Sequence, residues 1–281
     1  MEKNLNKENW VILNGKFIRE SEAKISILDK AYFFDFAVYS TLKVIKGKIF
    51  FPEFHVKRLF ESARLIDLGH NFNEQEVLKW LDLLIKKNNI KDGLLRMVLI
   101  GDVEENKNAR LYIFSFPGVV YYPNKFYKKG VKVITYFGER FLPQSKSKNL
   151  LLNFLAFREA QKKGALDALL VDRERNIREG TRSNFFAIKG DNLITPPKEK
   201  VLEGITRKIV LEVSKEHFKI KEKDISLDDL EKYDEFFITS TSMGVMPVSQ
   251  IDDMKIETTF EKTKIILKLY KEYYHKNVLG D

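Results

Sequence analysis

Residues 179–207 hold a carboxylate at a predicted turn and a glycine-led helix start suited to binding an anion. Glu179 stands at a predicted turn after a strand, and Gly204–Arg207, Gly-Ile-Thr-Arg, opens a predicted amphipathic helix. A helix N-terminus exposes backbone N–H groups with a partial positive charge, so it binds phosphate readily. Glycine lets the backbone approach closely, and the hydroxyl of Thr206 adds a donor. Taken singly, Glu179 equally fits a solvated turn residue, and Gly204 equally fits a plain helix cap.

The composition argues against a metal or thiol site. The 281 residues include no cysteine, which excludes disulfides, thiolate nucleophiles and thiolate-bound metals. The four histidines, His55, His70, His217 and His275, are scattered without i, i+4 pairing, so we expect no metal centre.

Charge and hydropathy argue against nucleic acids and membranes as partners. The net charge is +9, but the 49 Lys and Arg are spread among 40 acids, with no basic run and no zinc-finger pattern. The sequence has no window with the roughly 18 uninterrupted apolar residues of a membrane span. The first residues, "MEKNLNKENW", lack the apolar core of a signal peptide, so we expect a cytoplasmic protein.

The chain is expected to divide where regular periodicity lapses, in "PGVVYYPNKFYKKG". We predict a small N-terminal α/β domain over residues 1–118, an interdomain linker over 119–129 and a large C-terminal α/β domain over 130–281. The first part predicts hairpins at Asn14–Gly15 and around Gly47, and a helix capped by Asn73 with Val77 and Leu81 on one face. The second part alternates strands with helices. The fold class is therefore mixed α/β in two lobes.

Several strings occur in one order along almost the whole chain: "RFLPQSKSKNLLLN", "EGTRSNFF", "LITPP", "VLEGITR" and "EFFITSTSMGVMPV". Together they resemble the class IV aminotransferases, which comprise branched-chain aminotransferase, D-amino acid aminotransferase and aminodeoxychorismate lyase. The resemblance implies the two-domain fold type IV architecture and pyridoxal 5'-phosphate as cofactor. Each string alone is weak evidence, whereas the ordered set is specific.

The resemblance assigns the covalent chemistry to Lys146 and Glu179. Lys146, in "PQSKSKN", matches the lysine that forms the Schiff base with the cofactor. Lys148 is a rival, but the family's lysine precedes an asparagine by three or four residues, and the step from Lys146 to Asn149 is three. Glu179 matches the acid that pairs with the pyridine nitrogen and keeps the ring protonated.

The resemblance also places cofactor-binding residues around the phosphate and the ring. Arg58, in "FHVKRLFESA", matches the arginine on the phosphate, and Ile205, Thr206 and Thr241 complete the phosphate site. Leu202 matches the leucine that packs against the ring. Read without the family, Arg58 would be a solvated helix residue and Leu202 a core residue.

The subgroup stays open because the chain departs from each pattern. "LIGD" lacks the carboxylate-binding arginine of D-amino acid aminotransferases, with Ile100 in its place. Ser40 stands where branched-chain enzymes have an acid, and Leu150 where they have a tyrosine. "SMGVMPV" favours the lyase, yet Ser240 replaces the asparagine common in the lyase turn.

Arg96 and Arg182 are candidates for a clamp on the substrate carboxylate, since a guanidinium binds carboxylate in a two-pronged fashion. The alternative is that Arg182 is a surface loop residue and Arg96 pairs with an acid on its sheet. Tyr39 and Ser242 are further candidates for substrate contact.

The expected function is ping-pong transamination between a 2-oxo acid and an amino acid, either a D-amino acid or a branched-chain L-amino acid. The alternative is aminodeoxychorismate lyase, which eliminates pyruvate with the same cofactor and releases 4-aminobenzoate. The family implies a homodimer or a higher homo-oligomer.

Overall fold

The computed structural model describes residues 8–105, 108–118 and 121–280. The chain forms two compact units. The first contains the described residues up to Gly118 together with Ser145–Lys148, and the second contains 121–144 and the described residues from Asn149 on.

The first unit is built on an antiparallel sheet of six strands in the order β2-β1-β6-β5-β3-β4. The strands are β1 (Trp10–Leu13), β2 (Lys16–Arg19), β3 (Ala37–Ile45), β4 (Lys48–Ile49), β5 (Gly93–Ile100) and β6 (Arg110–Phe116). Three helices accompany them: α1 (Lys30–Phe33), α2 (Pro52–Leu65) and α3 (Glu74–Asn88).

Local sequence signals specify the turns and caps of this unit. Asn14 and Gly15 have φ of 49° and 82° in the β1–β2 turn, and Gly47 has φ of 74° between β3 and β4. The side chain of Asn73 accepts a hydrogen bond from the backbone N–H of Gln75 at the start of α3. The predicted hairpins and helix cap are thus confirmed.

The core of the first unit joins the sheet to helices α2 and α3. Leu59 of α2 and Leu81 of α3 are fully buried with Leu42 and Leu95 of the sheet. On strand β3 the buried residues alternate with half-buried ones. One face of β3 therefore enters the core, and the other presents Tyr39 and Thr41.

The second unit is built on ten strands, of which six form a closed ring. The order β10-β14-β15-β7-β8-β9 is closed by the pairing of Asn184 with Glu179 between β10 and β9. The strands are β7 (Val131–Phe137), β8 (Asp167–Val171), β9 (Asn176–Gly180), β10 (Asn184–Lys189), β11 (Asn192–Thr195), β12 (Lys219–Glu222), β13 (Ile225–Ser226), β14 (Glu235–Ser240), β15 (Gly244–Ile251) and β16 (Met254–Lys255).

Four helices belong to this unit: α4 (Asn124–Lys129), α5 (Leu151–Lys162), α6 (Ile205–Ser214) and α7 (Glu261–Tyr274). Strands β8 and β9 are buried at every position, as expected for strands covered on both faces. Phe185 and Phe186 of β10 stack on Phe236 and Phe237 of β14, with ring centroids 5.7 and 4.6 Å apart. Apolar residues on both faces of neighbouring strands thus support the closed ring.

Two features differ from the expected domain division. Residues 124–129, inside the predicted linker, form helix α4 of the second unit, and residues 119–120 lie outside the described residues. Ser145–Lys148, placed by the sequence in the larger domain, clusters with the first unit because it bonds to β3 and α2. The mixed α/β fold class is confirmed. No helix in the described part of the chain is long and apolar enough to cross a membrane.

Candidate active site

Lys146 is held by its backbone against two elements of the first unit. Its N–H donates to the Ser62 hydroxyl of α2 at 3.1 Å, and its carbonyl accepts from the N–H of Tyr39 at 3.0 Å. Ser147 forms an isolated bridge with Val38 of β3. The Nζ atom of Lys146 lies 4.7 Å from the centroid of the Tyr39 ring. The fixed backbone therefore directs this amine over the face of β3 that carries Tyr39.

Lys148 has different surroundings. Its N–H donates to the carbonyl of Ala37 at 2.8 Å, and its Nζ lies 3.9 Å from Asp35. Its side chain is about one-third exposed (36%) and that of Asp35 is half exposed (52%). An exposed amine beside a carboxylate is a typical surface ion pair. Of the two lysines, Lys146 is the one that lies over a strand of the sheet and an aromatic ring.

Arg58 belongs to a polar cluster at the junction of α2 and β3. Its Nη2 donates to the Ser40 hydroxyl at 3.1 Å, and Ser40 Oγ lies 2.9 Å from Nδ1 of His55. Ser40 and His55 are fully buried. Burial lowers the pKa of His55 well below its usual value, and Arg58 and Lys146 lower it further. His55 is therefore neutral at pH 7, and Ser40 links an uncharged imidazole to the arginine.

Arg96 lies on the same sheet face as Tyr39 and Thr41. Its Nε donates to the Thr41 hydroxyl at 3.2 Å, and its guanidinium carbon lies 3.4 Å from the centroid of the Phe116 ring and 5.1 Å from that of Tyr39. Burial lowers the pKa of Arg96, while Tyr39 opposes that shift. These contacts are a hydroxyl and two aromatic rings, in place of the acid considered in the sequence analysis.

Glu179 is the penultimate residue of strand β9 of the second unit and is 5% exposed. Its Oε1 accepts from Nη1 of Arg140 at 3.2 Å, and its Oε2 accepts from the backbone N–H of Leu202 at 3.1 Å. A carboxylate has about four lone-pair positions, so these two bonds leave room for a further donor.

The start of helix α6 has the features of an anion site. Gly204 is the N-cap residue, and none of the described side chains caps the helix. Ile205 and Thr206 are buried, and the Thr206 side chain hydrogen-bonds the phenol of Tyr270 on α7. A Cβ at position 204 would clash with Oδ1 of Asn184, so the Asn184 side chain occupies the space that only a glycine leaves open.

A hydroxyl-rich turn lies at the end of β14 in the same unit. Thr239 is buried, and its Oγ1 has no hydrogen-bond partner among the described residues. Thr239 pairs with Asn184 across β14 and β10, so their side chains share one face of the sheet. Thr241 and Ser242 follow in a half-buried turn, where Ser242 Oγ lies 3.3 Å from that of Ser240.

These features fit the phosphate group of pyridoxal phosphate. A buried hydroxyl without a partner costs free energy unless a ligand or water satisfies it, and Thr239 is such a group. The Asn184 side chain touches the Gly204 backbone and shares its sheet face with Thr239. A helix start without a side-chain cap and an unsatisfied hydroxyl are therefore brought to one region of the second unit.

Arg182 has local partners in the second unit. Its side chain is exposed, its Nη2 donates to the carbonyl of Leu166 at 3.3 Å, and its guanidinium carbon lies 4.4 Å from the Phe157 ring centroid. Arg96 belongs to the first unit. The described contacts of Arg182 thus match those of a loop residue that packs on α5.

Sequence reasoning missed several residues of this region. Arg140, Asn184 and Tyr270 contact the candidate residues Glu179, Leu202 and Thr206. Arg140 begins the string "RFLPQSKSKN", and Asn184 lies inside "EGTRSNFF", so both stood in motifs that carried the resemblance. Tyr270 gave no signal because its helix is distant in sequence. Within the described ranges, no cluster of three or more His, Asp or Glu could hold a metal ion.

The chain is similar in sequence to known aminotransferases. The sequence profile of the family described as amino-transferase class IV matches residues 37–251. The D-alanine aminotransferase of Bacillus licheniformis is 33% identical over 256 residues, covering 88% of this chain and 89% of that protein. A protein of Methanocaldococcus jannaschii, provisionally assigned as a branched-chain-amino-acid aminotransferase, is 30% identical over 276 residues, covering 93% and 95%.

Solved structures show the same fold. The branched-chain aminotransferase of the archaeon Thermoproteus uzoniensis, crystallised with norvaline, gives a TM-score of 0.87 at 24% identity, and the match covers 97% of this chain and 99% of that one. Another branched-chain amino acid aminotransferase, crystallised with pyridoxamine 5'-phosphate, gives a TM-score of 0.88 at 25% identity, covering 97% and 98%. The fold expected from the resemblance is confirmed.

We expect Gly204→Ala to weaken the binding of inorganic phosphate by about tenfold or more, or roughly 1.4 kcal/mol. The added methyl group would displace the Asn184 side chain and move the helix start. Calorimetric titration of the cofactor-free protein with phosphate measures the change. Gly93→Ala is the control, because its methyl group would meet a flexible Ile90 side chain at 3.3 Å. Equal phosphate affinity in both variants would contradict an anion site at α6.

Proposed function

This chain belongs to the class IV aminotransferase family and uses pyridoxal phosphate, and we propose that it transfers amino groups between a 2-oxo acid and either D-amino acids or branched-chain L-amino acids. The observation that carries the proposal is the bond between Leu202 and Glu179. Two residues after Leu202 the chain reaches Gly204 and the start of α6. Residues 202–206 span at most about 14 Å, so a carboxylate and an anion site lie within the reach of one small cofactor.

We assign Lys146 as the residue that holds the cofactor covalently. When bound, pyridoxal phosphate supplies an aldehyde for the amine and a ring that withdraws electrons from the substrate Cα. Lys146, once released, moves the proton at Cα. The backbone bonds to Ser62 and Tyr39 support this role, since they fix where the amine can move.

Glu179 is assigned to hold a proton on the pyridine nitrogen. A carboxylate beside the pyridine nitrogen stabilises a protonated ring. The ion pair with Arg140 and the bond from the Leu202 amide hold the Glu179 carboxylate in place. Leu202, 8% exposed, is assigned to pack against the ring. Arg140 acts through Glu179.

The phosphate is assigned to Arg58, the backbone N–H groups of Ile205 and Thr206, and the hydroxyl of Thr241. Thr239 is added to this set because its buried hydroxyl needs a partner. Ser40 orients Arg58 by accepting one of its hydrogen bonds. The hydroxyl of Ser40 and the neutral His55 bring no negative charge that would compete with the phosphate.

For the substrate carboxylate we propose Arg96, next to Tyr39 and Thr41. Stacking on Phe116 holds the guanidinium in one orientation, which favours two-pronged recognition. Ser242 stays a candidate for substrate contact. The joint clamp with Arg182 stays a hypothesis, because the bond of Arg182 to Leu166 supports a structural role equally well.

We expect Lys146→Ala to abolish transamination and Lys148→Ala to keep it within about tenfold, since only a reacting amine is irreplaceable. Borohydride reduction followed by peptide mass spectrometry identifies the attachment site without an activity assay. Cofactor mass on Lys148, or activity in Lys146→Ala, would refute the assignment.

A panel of D- and L-amino acids distinguishes the substrates. Conversion is followed in the visible absorbance band of the bound cofactor, and release of 4-aminobenzoate from aminodeoxychorismate would identify the lyase instead.

We expect Arg96→Ala to lower kcat/KM for the preferred amino acid about 10- to 100-fold, since a hydrogen bond to a charged group contributes roughly 1.5–3 kcal/mol. Arg182→Ala tests the clamp, and unchanged rates in that variant would exclude it.

We also propose a homodimer or higher homo-oligomer in the cytoplasm. Each unit exposes large apolar side chains: Leu28, Phe33 and Phe34 are 83%, 68% and 70% exposed in the first unit, and Phe141 and Phe154 are 86% and 55% exposed in the second. Leu28, Phe33 and Phe34 lie within seven residues of one another along the chain, and exposed apolar groups that lie close together are typical of protein interfaces.

Light scattering is expected to give at least twice the 33.0 kDa of one chain. Phe33→Glu should shift the mass towards the monomer, because burying a charge opposes association. Leu83→Glu on α3, where the native side chain is 39% exposed, is the control and should leave the mass unchanged. A monomeric native protein would contradict the proposal.

A further inference from the structure

Asp167 is a buried carboxylate that the chemistry described so far does not use. It begins strand β8 and has no exposed surface. Four donors converge on it: the N–H of Ala168 at 2.9 Å, the N–H of Thr181 at 3.2 Å, the Ser183 hydroxyl at 2.7 Å and the Thr181 hydroxyl. Three of the four come from one turn, residues 180–183. The carboxylate therefore anchors that turn.

The anchored turn joins Glu179 to Asn184, which pair with each other across β9 and β10. The N–H of Gly180 donates to the carbonyl of Ser183 at 2.7 Å, and the N–H of Thr181 donates to the carbonyl of Ala168 at 3.0 Å. The residues at both ends of the turn also form hydrogen bonds with Leu202. Its N–H donates to Glu179, and its carbonyl accepts from the Asn184 side chain at 2.7 Å.

Gly180 shows how closely the carboxylate approaches the turn. A Cβ at this position would lie 2.7 Å from Oδ2 of Asp167 and 2.1 Å from the Ser183 hydroxyl. Residue 180 must therefore be glycine for Asp167 to reach the turn. The position of Gly180, which follows Glu179 in the chain, thus depends on the position of the Asp167 carboxylate.

The arrangement of donors around Asp167 explains why this position carries a carboxylate. Burial raises the pKa of its carboxyl group, while Thr181, Ser183 and Arg182 act in the opposite direction. A carboxylate only accepts hydrogen bonds, so it can serve four donors together. An amide in its place would direct two N–H donors at groups that also donate. A buried ion costs several kcal/mol, and these bonds offset the cost.

We propose that Asp167 is the positioning residue for Glu179, fixing the turn of residues 180–183 and through it the direction of the carboxylate and its bond to Leu202. This inference rests on the proposed role of Glu179 as the partner of the cofactor's ring nitrogen. Asp167 touches neither cofactor nor substrate.

Asp167→Asn tests the proposal, with Glu235→Gln as the matched control. Glu235 is also buried and accepts from the N–H groups of Lys262 and Thr263, at 3.1 and 2.8 Å, and from the Thr263 hydroxyl, but it caps helix α7. We expect Asp167→Asn to lower kcat by about 10- to 100-fold, as the loss of an orienting outer partner does at other sites, with KM changed less. Glu235→Gln should leave kcat unchanged even if both variants melt earlier.

Two further measurements separate positioning from plain stability. In the cofactor-free protein, amide hydrogen exchange at 180–183 should be faster in Asp167→Asn and unchanged in Glu235→Gln. In a double-mutant cycle with Glu179→Gln, the losses in kcat should not add, since both variants impair one carboxylate. If Asp167→Asn does not fold, Ser183→Ala replaces it in the test. That variant removes one hydrogen bond to Asp167 and keeps the carboxylate, so we expect a smaller loss of kcat.

Unchanged kcat in Asp167→Asn, additive losses, or unaltered exchange at 180–183 would each overturn the proposal. If Glu179→Gln itself leaves kcat unchanged, the proposed role of Glu179 is wrong. The exchange data then decide alone whether Asp167 fixes the turn.

Discussion

The hydrogen bond from the backbone N–H of Leu202 to Glu179 is the constraint on which the second unit's part of the site depends. It ties a carboxylate at the end of a strand to a segment that, two residues later, begins helix α6. A backbone amide has no rotamers, so this bond fixes the carboxylate more firmly than a flexible side chain would. Arg140 completes the surroundings of the acid through an ion pair. A ring-binding group and an anion-binding group are thereby held at a set distance.

The first unit positions its chemistry by similar means. Lys146 is fixed through backbone bonds to Ser62 and Tyr39, which leaves only its side chain free to move. In the polar cluster beside it, the Ser40 and His55 side chains carry no charge. Ser40 is a hydroxyl and the buried His55 is neutral, so two uncharged groups support Arg58. A carboxylate at position 40 would compete with a phosphate for the same guanidinium.

Buried polar groups of two kinds occur in the second unit. Asp167 is satisfied by four donors, so it rigidifies the turn that it contacts. Thr239 is buried with no hydrogen-bond partner among the described residues, a cost that a bound ligand can remove. A satisfied buried group can fix the backbone around it, and an unsatisfied hydroxyl such as that of Thr239 is a candidate ligand contact.

The sequence by itself determined the local structure and the family. Turn residues such as Asn14–Gly15 and the cap at Asn73 act within a few positions, so their signals are readable in one dimension. The ordered motifs carried the resemblance from which the roles of Lys146 and Glu179 are proposed. Tertiary structure alone decided that Ser145–Lys148 joins the first unit and that Asp167 and Tyr270 support the site. These contacts join residues far apart in sequence, and no local pattern of types or spacing encodes which distant partners a fold brings together.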